Sequence, residues 1–157
     1  MAVEALGPIL DTERETPTPI RSDAVLAELR PGLEALGYTV ETGKKHAEKI
    51  RKPVLFGENG LAKVSYELDA FHDEFGIAVE VEAGRGASNN ADYRDILRTS
   101  LLLDADFLVL FMPKLYRHGG QKVTEIRAYQ NTRSQLDAIY ASQRLRLPFR
   151  GLLLVGY

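Results

Sequence analysis

The chain has 157 residues, with 45% hydrophobic and 27% charged side chains and no cysteine. That is enough to bury a sizeable single core, and it excludes a disulfide-stapled mini-protein, thiol nucleophiles and thiolate zinc sites. Net charge is −2, yet residues 1–83 hold 9 Lys/Arg against 16 Asp/Glu and residues 84–157 hold 11 against 6, so the halves are −7 and +5.

Residues 1–21 contain Pro8, Pro17 and Pro19 and no periodic apolar face, which predicts a flexible arm ahead of one domain over 22–157. From Ser22, the residues Val25, Leu26, Leu29, Leu33 and Leu36 fall at helical spacing. Ser22 or Asp23 is the expected cap, Gly37 the stop, and Pro31 a kink or break. The stretch 38–52 is locally basic through Lys44, Lys45, Lys49, Arg51 and Lys52, and suggests a short strand and a cationic turn.

Over 62–71 the alternation is clean: Ala62, Val64, Tyr66, Leu68 and Ala70 share one face, and Lys63, Ser65, Glu67 and Asp69 the other. After a turn at 72–76 the period resumes, with Ile77, Val79, Val81 and Ala83 inward and Ala78, Glu80 and Glu82 outward, so the two runs predict a hairpin. A glycine-containing loop over 84–90 leads to a helix whose apolar residues are Tyr93, Ile96, Leu97, Leu101 and Leu102. A continuous apolar run at 107–112 suits a central strand covered on both faces. A helix over 124–142 and a strand over 151–155 complete an α/β fold. Its mixed central sheet combines an antiparallel hairpin with parallel crossovers and lies between helices.

Asp69, Glu80 and Glu82, with Glu67 nearby, are the residues that most need explaining. If Asp69 lies opposite Glu80, the same register sets Glu67 opposite Glu82. A slip of one residue would separate the carboxylates from the face that the apolar pattern assigns them. Like charges facing each other across a sheet repel and call for a cation. Magnesium is the economical candidate, with manganese as an alternative, because it takes one or two carboxylates, keeps waters and accepts phosphate oxygens. Asp69 and Glu80 would hold it, the Val81 carbonyl would add an oxygen, and Glu82 would orient or deprotonate a water.

Asp69, ten intervening residues, and then Glu80-Val81-Glu82 resembles the PD-(D/E)xK nuclease superfamily, in the variant where glutamate replaces the motif lysine as in Bam-type restriction enzymes. The order of elements over about 22–112 is similar too. Leu68 stands where the motif has proline, and no lysine occupies the motif position. The resemblance implies a restriction-endonuclease-like fold, metal ligation by Asp69 and Glu80, Glu82 at the usual lysine position, and Mg-dependent hydrolysis of DNA.

Around this core, Arg85 between Gly84 and Gly86, the helix pair Arg94 and Arg98, and the loop cations Lys114 and Arg117 are candidate phosphate contacts. Tyr116 is available for stacking, and ion pairing is the commoner role for Arg94 and Arg98. One histidine beside the acids, His72, does not make a nucleophilic triad, and neither a Walker loop nor a dinucleotide fingerprint is present. The expected partner is DNA, with a two-fold dimer if the target is palindromic. No apolar run is long enough to cross a membrane, and nothing resembles a secretory signal, so the cytoplasm is the expected compartment. Two other readings remain: a catalytically degenerate nucleic-acid-binding or assembly module on the same fold, and a small-molecule nucleotide phosphohydrolase.

Overall fold

A computed structural model describes residues 11–13, 20–83, 90–118 and 124–157. The order is α1 (Ser22–Ala35), β1 (Thr39–Val40), a 3₁₀ turn (His46–Glu48), β2 (Ile50–Phe56), β3 (Ala62–Leu68), β4 (Ala70–His72), β5 (Ile77–Val81), α2 (Ala91–Ser100), β6 (Phe107–Met112), β7 (Tyr116–His118), β8 (Thr124–Ile126), α3 (Ala128–Ser142) and β9 (Gly151–Gly156). The fold is mixed α/β. A five-stranded sheet runs β1-β4-β5-β6-β9, with β1, β4 and β5 antiparallel and β5, β6 and β9 parallel.

The two parallel crossovers step across the sheet in one direction, so the right-handed rule puts α2 and α3 on the same face. Ile96 of α2 and Ala128 and Leu136 of α3 accordingly share a core with Phe71, Ala78, Leu108, Leu110 and Met112. Val25, Leu26 and Leu29 of α1 cover the other face with Ala70, Val79, Val81 and Phe111. The run Phe107–Met112 is apolar throughout because β6 is buried on both sides.

Several expectations need correcting. Pro31 does not divide α1. The carbonyl that its missing N–H leaves unbonded belongs to Ala27, on the solvent side where water can reach it. The basic stretch holds a full strand, β2, paired with β3 in a two-stranded ribbon of its own, so Glu67 faces Arg51 rather than Glu82. The last helix begins at Ala128, because Thr124–Ile126 pairs with β7 instead. The polar face of β4 and β5 is not outward: Ala78 is fully buried and α2 lies over it. On α2 the apolar residues Tyr93 and Leu97, with Leu101 just after it, are exposed, and Asp92, Asp95 and Thr99 are buried beside Ile96. Most of the N-terminal arm, like Arg85 and its flanking glycines, lies outside the described residues. Of the remainder, Thr12 donates to the Tyr157 carbonyl at 2.5 Å and accepts from the Leu115 N–H at 3.3 Å.

The β4–β5 turn depends on Gly76, which has φ +61° and whose carbonyl accepts the N–H groups of Asp106 and Phe107. A Cβ there would meet the Asp104 carbonyl oxygen at 2.5 Å. Gly76→Ala is therefore expected to cost about 2–4 kcal/mol, the sum of left-handed strain and a backbone clash, as read by urea denaturation.

Candidate active site

The chain folds at Asp69 so as to free its side chain from the ladder. Leu68 and Phe71 both enter the α2–α3 core although an odd spacing would put them on opposite faces of an unbroken strand. The strand therefore turns at Asp69, between β3 and β4. The Asp69 carboxylate then accepts the Val81 N–H at 2.7 Å, and its carbonyl accepts the Glu41 N–H at 2.8 Å.

Register aligns the acids. In β4–β5 every pair sums to 149 (Ala70 with Val79, Phe71 with Ala78), so the next pair is Asp69 with Glu80. In β1–β4 every pair sums to 110 (Thr39 with Phe71, Val40 with Ala70), so the next is Glu41 with Asp69. Glu41 and Asp69 stand one residue beyond the paired ends of β1 and β4, joined by the Glu41 N–H on the Asp69 carbonyl, Asp69 reaches β5 through the Val81 N–H, and Glu80, in β5, has Leu110 as its parallel partner. Of the register expected from the alternation, the pairing of Ala70 with Val79 is found, while Glu67 faces Arg51 and not Glu82. Glu41 was not expected in the row, and neither was Asp95, which reaches it from the inward face of α2.

Each acid is held from several elements. Arg30 of α1 donates to the Glu41 carbonyl at 2.7 Å, and Lys49 Nζ lies 2.7 Å from Glu41 Oε1 in a nearly buried pair. The Glu82 N–H donates to the Phe111 carbonyl at 3.0 Å, and the Tyr157 hydroxyl donates to the Glu82 carbonyl. Arg94 spans Glu82 and Asp95 at 3.6 Å and 3.2 Å, and Asp95 holds the Glu82 carboxyl toward its protonated form. Asp92, fully buried, accepts from the Thr132 hydroxyl at 2.9 Å and so ties α2 to α3. Arg98 stacks on Tyr66 with its guanidinium 4.9 Å from the ring centre, and its charge favours ionised Glu80.

Electrostatically this is a site short of positive charge. Five carboxylates (Glu41, Asp69, Glu80, Glu82 and Asp95) act on one another, and three cations (Lys49, Arg94 and Arg98) act on them. Burial pushes Asp69 up to about 6 despite the Val81 N–H, with Glu41 and Asp95 adding to the rise. Burial, then Asp69 and Asp95, holds Glu80 well above the usual carboxylate range. Burial and the Asp95 hydrogen bond push Glu82 up to about 9, so in this state Glu82 carries the proton it shares. Lys49 keeps its charge: burial works against it, and the Glu41 hydrogen bond, with Glu67 and Asp69 behind it, outweighs burial.

The other candidates lie apart from the row. Lys114 follows β6, pairs with Glu13 at 3.5 Å and lines a cavity of ≈ 520 Å³ with Arg127, Tyr129 and Glu125. Arg117 pairs with Glu125 at 2.8 Å on the β7–β8 hairpin. His72 is a structural residue, buried between Tyr38 and Phe75, with its ring nitrogens at the Leu36 carbonyl and the Phe75 N–H.

Among the described residues, no three carboxylate or imidazole side chains converge on one point as a ready-made metal cage. The donor set still suits a hard cation, because neighbouring buried carboxyl groups are oxygen donors that lose their protons when positive charge arrives. No family model, curated protein or solved structure matches the chain.

Proposed function

We propose that the chain is a metal-dependent nuclease that hydrolyses DNA phosphodiester bonds. Asp69 and Glu80 would be the carboxylate ligands of magnesium or manganese, and the Val81 carbonyl a third oxygen. The reading is carried by the alignment of Asp69 with Glu80 in a carboxylate row that burial leaves undercompensated. Magnesium needs only one or two protein carboxylates, since waters and phosphate oxygens complete its shell. When bound, such an ion polarises a phosphoryl oxygen and acidifies a water.

The chain's own residues supply the rest. Asp69 and Glu80 fix the position of charge. Glu82 gives up its proton as positive charge arrives nearby and can then accept one from the attacking water. Arg94 holds Glu82 and Asp95 in one orientation, and Arg98, clamped on Tyr66, presents positive charge beside Glu80 to a bound phosphate. Arg85 follows β5 closely in sequence and would serve the same charge.

A second reading, an inactive nucleic-acid-binding module, draws on the lack of a three-ligand convergence among the described residues. Calorimetry with magnesium and manganese, followed by plasmid incubation of the same samples, separates the two. Nuclease chemistry predicts binding and nicking that both vanish in Asp69→Ala/Glu80→Ala. A wild type that binds neither metal, with or without DNA, would make the acids structural and favour the module. Turnover of a nucleotide panel without plasmid nicking would redirect the reading to a small-molecule phosphohydrolase.

A further inference from the structure

The basic stretch over 44–52 has no role in the acid row beyond Lys49, yet it builds the most prominent feature outside the main sheet. β2 and β3 form an isolated two-stranded ribbon whose root, Ile50 opposite Leu68, sits one residue from Asp69. Ile50, Val54 and Tyr66 anchor the inner side of the ribbon on the α2–α3 core. Seven-residue strands at about 3.3 Å per residue reach roughly 23 Å from that root. Its tip turns through Asn59 and Gly60, with φ +64° and +70°, and leaves Leu55, Phe56 and Leu61 exposed at 51%, 48% and 72%.

Charge on the ribbon is opposite to that of the site it grows from. The ribbon itself, 50–68, holds Arg51, Lys52 and Lys63 against Glu58 and Glu67, a net +1, and the turn before it, 44–49, adds Lys44, Lys45 and Lys49 against Glu48, so that 44–68 is +3 in a chain whose total is −2. Three of those cations have carboxylate partners: Lys44 with Asp23, Lys49 with Glu41 and Lys52 with Asp73. Lys45, Arg51 and Lys63 are exposed and form no ion pair among the described residues, Arg51 reaching only His46 at 2.5 Å. Cations without an ion pair among the described residues, beside solvent-facing leucine and phenylalanine on a two-stranded ribbon, suit a polyanion that also offers apolar surface. The major groove of B-form DNA, about 12 Å wide, admits a two-stranded ribbon and displays thymine methyl groups, whereas the deep, narrow groove of A-form RNA does not admit one.

On the nuclease reading, on which this rests, we infer that the β2–β3 ribbon is a docking element that enters the major groove of duplex DNA. Lys45, Arg51 and Lys63 grip the phosphates, and Leu55, Phe56 and Leu61 meet base edges, so that a backbone phosphate is brought to the Asp69–Glu80 row at its root.

The test compares the unaltered chain with Lys45→Ala/Arg51→Ala/Lys63→Ala and with a control that removes exposed, ion-paired cations outside the ribbon, Arg133→Ala/Arg150→Ala. Binding to a fluorescent 20-base-pair duplex is followed by anisotropy over a salt series. The ribbon variant is expected to bind at least about tenfold more weakly, with a log–log salt slope shallower by about 2–3, while the control stays close to the unaltered chain. Amide exchange on the unaltered chain adds a measurement that no folding defect can mimic: duplex should slow exchange over 50–66. Equal binding by the ribbon variant, no slowing over 50–66 on a duplex that binds, or no duplex binding at all would each overturn the inference. Magnesium calorimetry in the same samples separates this from failure of the nuclease reading: a ribbon variant that still binds metal but not DNA leaves the site intact, and ribbon-dependent DNA binding by a chain that binds no metal removes the nuclease and keeps the ribbon.

Discussion

Glu80→Gln is expected to make the metal-free protein more stable at pH 8 and to abolish cleavage. Glu80 lies between Asp69 and Leu110 in the sheet, with Asp95 above, and burial and those two acids hold it well above the ordinary carboxylate range. At pH 8 the folded protein must either keep a proton there that water would remove or bury a repelled charge, and glutamine has the same shape without either penalty. A gain on the order of 1–3 kcal/mol follows, or about 2–12 °C in Tm for a chain of this size, and it should shrink toward zero as pH falls to about 4.5. Cleavage should drop by about a thousandfold or more, because a lost carboxylate ligand removes several kcal/mol of charge stabilisation. Such opposite signs mark a functional site, where destabilising residues are kept for their chemistry. Thermal scans with plasmid nicking on the same preparations check both, and a variant that loses stability while still nicking DNA would show the acid to be structural.

How far this site can be read in the sequence depends on which forces fix each part of it. The pairing of Ala70 with Val79 is legible because alternation of Ala70, Val79 and Val81 against their neighbours allows one register only, and a slip would turn every side chain over, whereas the turn that sends Leu68 to the other core is not legible. The central strand Phe107–Met112 is legible for a related reason: only burial on both faces explains six apolar residues in succession. Asp95 is not legible. Helix α2 has an apolar stripe, Tyr93, Leu97 and Leu101, and a polar one, Asp92, Asp95 and Thr99, and hydrophobicity alone turns the wrong stripe inward. The polar stripe is buried because its partners come from distant segments, Thr132 for Asp92 and Glu82 for Asp95, and no local pattern encodes them. Glu41 is hidden in the same way, since its place in the row depends on the pairing of a two-residue strand, β1, with β4. Strand β2 escapes notice because Arg51, Lys52 and Pro53 blur its alternation, and its register shifts twice after Pro53.

Stability of the metal-free protein should fall as pH rises from about 4 to 9, the reverse of an ordinary acid limb. Asp69 moves from 3.8 to about 6 on folding and Glu82 from 4.5 to about 9, both chiefly through burial. Across that interval the folded chain binds protons that the unfolded chain has released, so the slope of unfolding free energy with pH is negative. The contribution is fully present below about pH 4, is lost through Asp69 near pH 6, and is lost through Glu82 near pH 9. Asp69 alone accounts for at most about 3 kcal/mol. Urea denaturation at pH 4.5, 6, 7.5 and 9 in chelator should trace this fall, and Glu82→Gln should make it shallower from about pH 4.5 to 9, leaving the contribution of Asp69, complete by about pH 6, and that of Glu80 in place.

On the proposed function, magnesium would act on the same groups in the opposite sense. A cation between Asp69 and Glu80 displaces protons, so its affinity should rise with pH, and at a hundred times its dissociation constant it should return about 2.7 kcal/mol of stability. That recovery should be largest at pH 8–9, where the metal-free chain is weakest, and absent in Asp69→Asn/Glu80→Gln. If stability instead climbs through pH 5–8 in chelator, the acids are already neutralised by Lys49, Arg94 and Arg98, and no vacancy of charge remains for a metal to fill.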